Sequence, residues 1–234
     1  MKVGIMQPYF LPYIGYWQLM NVVDRYVIYD DVNYIKGGWI NRNRILSNGQ
    51  VKYLNVPVLG ASPNKLIHEI RVNNDTRLVE KNLRAVEGAY RKAPCFADVY
   101  PLIEKIMRNG AGNIAEYNEY SFRVLAQYLG ITTEFVLSST LKKNNNLKAQ
   151  EKVIHICELL GATEYYNAIG GRDLYNADDF MEKGIALKFL KPDRIQYEQF
   201  GAEFQDSLSI LDVMMFNSKQ EVQKFLDCYR LVGK

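Results

Sequence analysis

Histidine is almost missing from this chain. His68 and His155 are the only two in 234 residues, and neither has a Cys or His neighbour at ligand spacing, which argues against a zinc site built from such residues. Cysteine is also scarce: Cys95, Cys157 and Cys228 form an odd set at wide spacings, a pattern of reduced thiols rather than of a disulfide framework. No run approaches the roughly 18 apolar residues of a membrane-spanning helix, and the N-terminus lacks the basic-then-apolar layout of a secretory signal. A cytoplasmic protein without integral membrane association is therefore expected. Charge of one sign is in short supply as well. The formal net charge is +3, with Lys and Arg dispersed, so a dominant electrostatic grip on nucleic acid or an anionic membrane is not indicated. GxSxG, HExxH, Walker and GxGxxG motifs are absent, which removes the carriers of the common hydrolase, zinc-protease, P-loop and dinucleotide readings.

What is present is enough for a sizeable core: hydrophobic residues make up 48% and charged residues 24%, which predicts an ordinary globule. We expect a single α/β domain over 1–234, with a hairpin insertion at about 39–58 and a helical insertion at about 75–130. Residues 2–7 read as a buried strand, Tyr13 to Val23 as a helix and Arg25 to Tyr29 as a second strand. Asn48-Gly49 between two strand-like runs is a hairpin signal. Further on, Gly130, Gly161 and Gly184 each fall where a helix should end and precede a β-prone run. Helices alternating with buried strands favour parallel pairing, so the expected architecture is a doubly wound, mainly parallel sheet of Rossmann-like type. The stretches "LSILDVMMF" and "SKQEVQKFLDCYRLV" are expected as closing helices, with Ser218 capping the second.

Ligands of open parallel sheets bind beyond the carboxyl ends of the strands. Those ends are Gln7-Pro8-Tyr9, Asp30-Asp31, Ser138-Ser139 and Ile169-Gly170-Gly171-Arg172. The glycine pair can expose backbone N–H groups to an anion, or be only a turn. Alternation along "WINRNRIL" places Arg42 and Arg44 on one face and Asn41 and Asn43 on the other, with the two guanidiniums roughly 7 Å apart. Such a pair can clamp a diphosphate, and Lys36 would extend the basic surface. It can equally be charge that blunts a sheet edge. Trp39 and the flanking Asn residues supply stacking and hydrogen bonding beside the charges. Asp31 fits a turn cap better than a metal or ribose ligand, and "KKNNNLK" at 142–148 reads as a polar loop that either closes over a ligand or is merely solvated.

"QPYFLPYIGY", "KGGWINRNRI" with "NVPV", "LGATEYYNAIGGRDLY" and "FQDSLSILDVMMFN" together resemble the WbqC-like family, whose members occur among bacterial surface-polysaccharide genes; the resemblance runs from Gln7 to Asn217. It implies a role in O-antigen or similar glycan synthesis, with transfer of glycine or another aminoacyl group to a nucleotide-linked amino sugar as the activity. Two positions depart from the family pattern: Tyr13 stands in place of Trp, and Ser218-Lys219 follow Asn217 where a Gly is usual. In fold, the turn into the first helix is similar to that of the adenylyltransferase superfamily, with Tyr13 and Tyr16 where its phosphate-contacting histidines would stand. On this reading Asp30 is the candidate base, while Gln7 and Asn43 orient the sugar or stabilise an oxyanion. Arg42 and Arg44 hold diphosphate, and Tyr13, Tyr16 and Trp39 stack on base or sugar. Lys36, Asn41, Ser139, Gly170, Gly171 and Tyr175 complete the expected substrate surface. No metal ligand and no tightly bound cofactor is expected. ATP and Mg enter only if the protein is instead a nucleotidyltransferase-like or ligase-like enzyme. A non-catalytic sugar-nucleotide-binding partner of the pathway is the third class.

Overall fold

The computed structural model describes residues 1–201 and 203–234. β1 (Lys2–Met6) runs into α1 (Ile14–Val22) and returns as β2 (Arg25–Ile28). A hairpin of β3 (Arg42–Ser47) and β4 (Gln50–Asn55) follows, then two short strands, β5 (Val58–Leu59) and β6 (Arg71–Val72). Helices α2 (Thr76–Tyr90), α3 (Phe96–Met107) and α4 (Ile114–Leu129) lead to β7 (Glu134–Leu137). Helix α5 (Ala149–Leu160) connects to β8 (Glu164–Ala168), and α6 (Ala177–Met181) to β9 (Ala186–Pro192). The chain closes with α7 (Ile210–Phe216), α8 (Lys219–Phe225) and β10 (Tyr229–Val232).

The result is a mixed α/β structure around a mainly parallel sheet. Strand order is β10-β9-β8-β1-β2-β7, and only β10 pairs antiparallel. Successive strand residues point to opposite faces, and the sequence uses this to feed two cores. Val3, Ile5, Val27, Tyr165 and Phe189 face α5 and α6. Tyr26, Ile28, Tyr166 and Leu190 face the larger core built with α1 and the α2 to α4 helices. No helix among the described residues is long and apolar enough to cross a membrane.

Local signals act where the sequence places them. Gly130 (φ 77°) and Gly161 (φ 66°) end α4 and α5 in the left-handed region. Asn48 (φ 53°) and Gly49 (φ 71°) are both left-handed in the hairpin turn, as a two-residue turn of mirror type requires. Ser218 caps α8 through a reciprocal box with Glu221. One expectation is corrected. The second closing helix stops at Phe225, and "YRLV" instead forms β10 on the open edge of β9, Tyr229 facing Pro192 and Val232 facing Phe189. A four-residue edge strand is decided by the backbone groups β9 leaves unpaired, which local periodicity does not report. The segment after Ala168 begins as a tight 3-10 turn, Ile169–Leu174, before the five-residue α6.

The C-terminal segment is anchored by Asp212, which is wholly buried. Its Oδ2 accepts from the Tyr90 hydroxyl at 2.9 Å, and its Oδ1 from the Tyr197 hydroxyl at 2.8 Å and the Gln199 amide at 2.7 Å. Burial pushes the carboxyl up, and the hydrogen bonds from Tyr197, Tyr90 and Gln199 pull it only part of the way back. A raised folded value means that the folded state holds the proton longer than the unfolded chain. Stability contributed by this group is therefore present at low pH and is lost as pH rises through the folded value. Urea unfolding of wild type and Asp212→Asn across pH 4 to 7 should show wild-type stability falling relative to the variant as pH rises.

Candidate ligand-binding site

The carboxyl end of β1 turns sharply through residues 7–13, and distant elements pin that turn. Asn43 of β3 donates from Nδ2 to the carbonyls of Phe10 and Leu11, both at 2.9 Å. Asn118 of α4 donates to Pro8 O and to Ile40 O, both at 2.8 Å. Ser209 Oγ donates to Leu11 O at 2.7 Å and Trp17 Nε1 to Pro12 O at 3.1 Å. The turn holds Leu11 at φ 39°, a strained value for a side-chain-bearing residue that such over-determination can sustain. Gly15 completes it: a Cβ there would lie 2.6 Å from the Tyr13 ring.

The chain leaves β1 for β2 and β7 on one side and returns to β8 on the other. A cleft of about 480 Å³ opens at this reversal, the place where an open parallel sheet leaves a crevice. Gln7, Tyr9 and Tyr16 form one wall and Asn167, Gly170 and Tyr175 another, with Tyr29 between and Gln150 from α5 at the rim. No charged residue lines it among the described residues. Tyr9 and Tyr16 are stacked at 5.0 Å. Asn167 Nδ2 donates to the hydroxyls of Tyr165 (2.6 Å) and Tyr175 (3.0 Å), fixing those rings. Gln7 Oε1 is buried without a hydrogen-bond partner, an acceptor left for a ligand N–H or O–H. Burial pushes the Tyr16, Tyr29 and Tyr175 phenols above their ordinary range, so they are neutral hydroxyls at physiological pH.

Tyr9 is also a wall of a second pocket of about 300 Å³, lined by Tyr13, Trp39, Asn43, Arg44 and Ser207. Arg44 lies 5.6 Å over the Trp39 ring and donates from Nη2 to Ser207 O at 2.9 Å, while its Nε is buried and unpartnered. Arg42 takes a different course. Its guanidinium donates to the carbonyls of Gly37 and Gly38 and lies 4.4 Å over the Tyr53 ring. Neither pocket counts it among its walls.

Of the residues expected from sequence, the cleft therefore gathers Gln7, Tyr16, Gly170, Gly171 and Tyr175, and the second pocket gathers Tyr13, Trp39, Asn43 and Arg44. Asn41 is occupied elsewhere, accepting from the Tyr34 hydroxyl and donating to Val56 O, and Lys36 is exposed and lines neither pocket. Asp30 is 1% exposed. Its Oδ1 accepts from the Ser139 N–H at 2.8 Å and its Oδ2 from the Ser139 hydroxyl at 2.6 Å, tying the ends of β2 and β7 together. His68 stands behind it, Nδ1 3.1 Å from Asp30 O. Asp31 does not cap a turn: it is held between Lys143 (2.8 Å) and Lys152 (2.9 Å), all three nearly buried. Burial would raise its carboxyl, but the hydrogen bonds from the two ammoniums hold it below the usual range. The "KKNNNLK" loop is thus nailed down by its second lysine, and by a 3.2 Å bond from Asn144 N–H to His155 Nε2. Sequence reasoning missed Tyr29, Gln150 and Asn167; the polar Asn167 beside the tyrosines of a buried β8 run was the one available signal.

These features define a class: an α/β protein with a mainly parallel sheet and a ligand-sized, uncharged cleft at the carboxyl ends of its strands. The chain belongs to the WbqC-like protein family, which it matches over residues 7–224. It is 29% identical over 228 residues to the uncharacterised protein Rv1507c of Mycobacterium tuberculosis, with 96% of this chain and 97% of that protein covered. No solved structure matches the chain.

Two substitutions test this framework. Asn43→Ala strips donors from two buried carbonyls and should cost about 2–4 kcal/mol, read by chemical denaturation. Asp31→Asn leaves two buried ammoniums without their anion and should cost about 3–5 kcal/mol. Because the folded value of Asp31 is lowered, the wild-type advantage over Asp31→Asn is full above the unfolded carboxylate range and is lost as pH falls through the folded value.

Proposed function

We propose that this protein binds a nucleotide-linked amino sugar and transfers an aminoacyl group, glycine being the first candidate, to the sugar amine during bacterial surface-polysaccharide (O-antigen) synthesis. The observation that carries the reading is the pairing of an uncharged, tyrosine- and amide-lined cleft with a neighbouring pocket that holds the Arg44 guanidinium, Tyr9 being shared between them. A neutral ring, base or sugar, belongs in the cleft, where Gln7 Oε1 lacks a donor. The diphosphate belongs toward Arg44, whose unpartnered Nε retains capacity for an anion. Strand order supports a doubly wound, Rossmann-like reading of the fold: taken in chain order, the strands run 3-2-1-4-5 with an antiparallel sixth. Family membership supports the pathway.

The uncharged lining favours a neutral ring over a triphosphate in the cleft, and so favours transfer from a pre-activated donor over ATP-dependent ligation. An attacking amine must lose a proton. Asp30 could take it only after releasing Ser139, so in the resting arrangement its role is to position the strand ends.

Titration calorimetry with a UDP-linked amino sugar tests the site, and mass spectrometry of that sugar incubated with protein and candidate glycyl donors tests the transfer. Arg44→Ala should weaken binding about 10- to 150-fold, the equivalent of losing a charge-assisted bond of about 1.5–3 kcal/mol, while thermal unfolding shifts little. Unchanged affinity accompanied by a large loss of stability would make Arg44 purely structural. Tight binding with no added aminoacyl mass across the donors would leave a binding partner rather than an enzyme.

A further inference from the structure

A larger groove lies away from the strand ends, between the outer face of α2 and the tip of the β3-β4 hairpin, with a volume of about 640 Å³. Its floor is the last turns of α2 and the turn that follows: Glu87 and Gly88 stand three and four residues after Arg84, and Arg91 and Lys92 three and four residues after Gly88, just past the helix end. Asn48 of the hairpin turn and Phe200 form the walls. These walls are built rather than loose. Phe200 packs edge-on against Phe216 at 4.7 Å, and a Cβ on Gly201 (φ 125°) would lie 3.9 Å from Gly49 Cα.

Two features of the floor lack a structural reason. Arg84, Arg91 and Lys92 are exposed and make no ion pair among the described residues, whereas Arg77 and Arg108, also of the α2 and α3 segment, are paired with Asp75, Glu80 and Glu104. Gly88 sits inside the last turn of α2, and α2 is capped beyond it by Arg91 in an ordinary right-handed conformation. An added Cβ at Gly88 would meet nothing within 4 Å. A glycine there weakens the helix relative to alanine without allowing any closer packing within the chain. It leaves bare backbone between Arg84 on one side and Arg91 and Lys92 on the other.

We propose that this groove is a second binding site, for a phosphorylated sugar. The phosphate is held by Arg84, Arg91 and Lys92, sugar hydroxyl or amine donors are accepted by Glu87, and the sugar ring lies over Gly88 with one apolar face against Phe200. The site needs charge, an acceptor and an aromatic wall together, which is the mixture a polar ring carrying an anion requires. It stands independently of the strand-end reading.

The test uses the full chain, labelled with 15N, and glucosamine 6-phosphate as probe, with glucosamine as control. Saturable movement of the Gly88 and Asn48 amide resonances with the phosphorylated sugar, and none with glucosamine, is expected. Arg84→Gln combined with Arg91→Gln should abolish the movement, whereas Arg44→Ala should leave it intact. Gly88→Ala should raise the melting temperature by about 2 °C and yet weaken binding at least tenfold, a combination a structural glycine does not produce. Amides that stay still or drift without saturation, binding unaltered by Gly88→Ala, or a lowered melting temperature for that variant would each overturn the proposal and return the patch to a solvated helix face.

Discussion

Everything at the strand ends depends on the turn after β1 being held from outside itself. Pro8 and Pro12 contribute no N–H, and the carbonyls of Pro8, Phe10, Leu11 and Pro12 have no helix or sheet to enter. They are satisfied instead by the side chains of Asn118, Asn43, Ser209 and Trp17, which come from α4, β3, the start of α7 and α1, with the Ile210 N–H as a second donor to Pro12 O. A buried carbonyl without a donor costs more than a typical hydrogen bond contributes, so these four side chains bind the sheet, the hairpin, the helical layer and the C-terminal helices to one another. The separated sequence signatures meet at this point. "QPYFLPYIGY" is the turn, "NRNR" supplies Asn43, and "LSILD" supplies Ser209.

The cleft inherits its character from that arrangement. Because the turn carries Tyr9 and Tyr16 to one side and Asn167 stands next to the last residue of β8, the crevice is lined by rings and amides, while charge is held in closed contacts: Asp30 with Ser139, Asp31 with Lys143 and Lys152. Buried ion pairs of this kind are poor sources of net stability, but breaking one is costly because it leaves an uncompensated charge. Here they fix where the 142–148 loop and the start of α5 lie, and so where Gln150 stands at the rim.

The positions of the elements could be read from the sequence because their causes are local. A glycine that ends a helix, Asn48-Gly49 in a two-residue turn, and Ser218 with Glu221 three residues on act within a few residues of themselves. The strand ends could be read for the same reason, and Gln7, Tyr16, Gly170, Gly171 and Tyr175 do meet in one cleft. The roles of polar side chains were not legible. Asn41, Asn43 and Asp30 carry the same chemistry whether they face a ligand or a backbone carbonyl, and their partners lie in contacts that only folding creates: Asn43 with Phe10 and Leu11, Asp30 with Ser139 across 109 residues.

The sequence by itself determined a mainly parallel α/β sheet, its helix ends and hairpin, and a short list of strand-end residues, because alternation, capping and turn chemistry are local. Only the tertiary structure decided which of those residues line open space. It separated Arg44, with a free Nε, from Arg42, spent on Gly37 and Gly38, and it turned the last residues of the chain into β10. The physical reason is the same in each case: a hydrogen bond or a charge is committed to whatever donor, acceptor or open edge the fold brings beside it, and neighbours far apart in sequence leave no periodic trace.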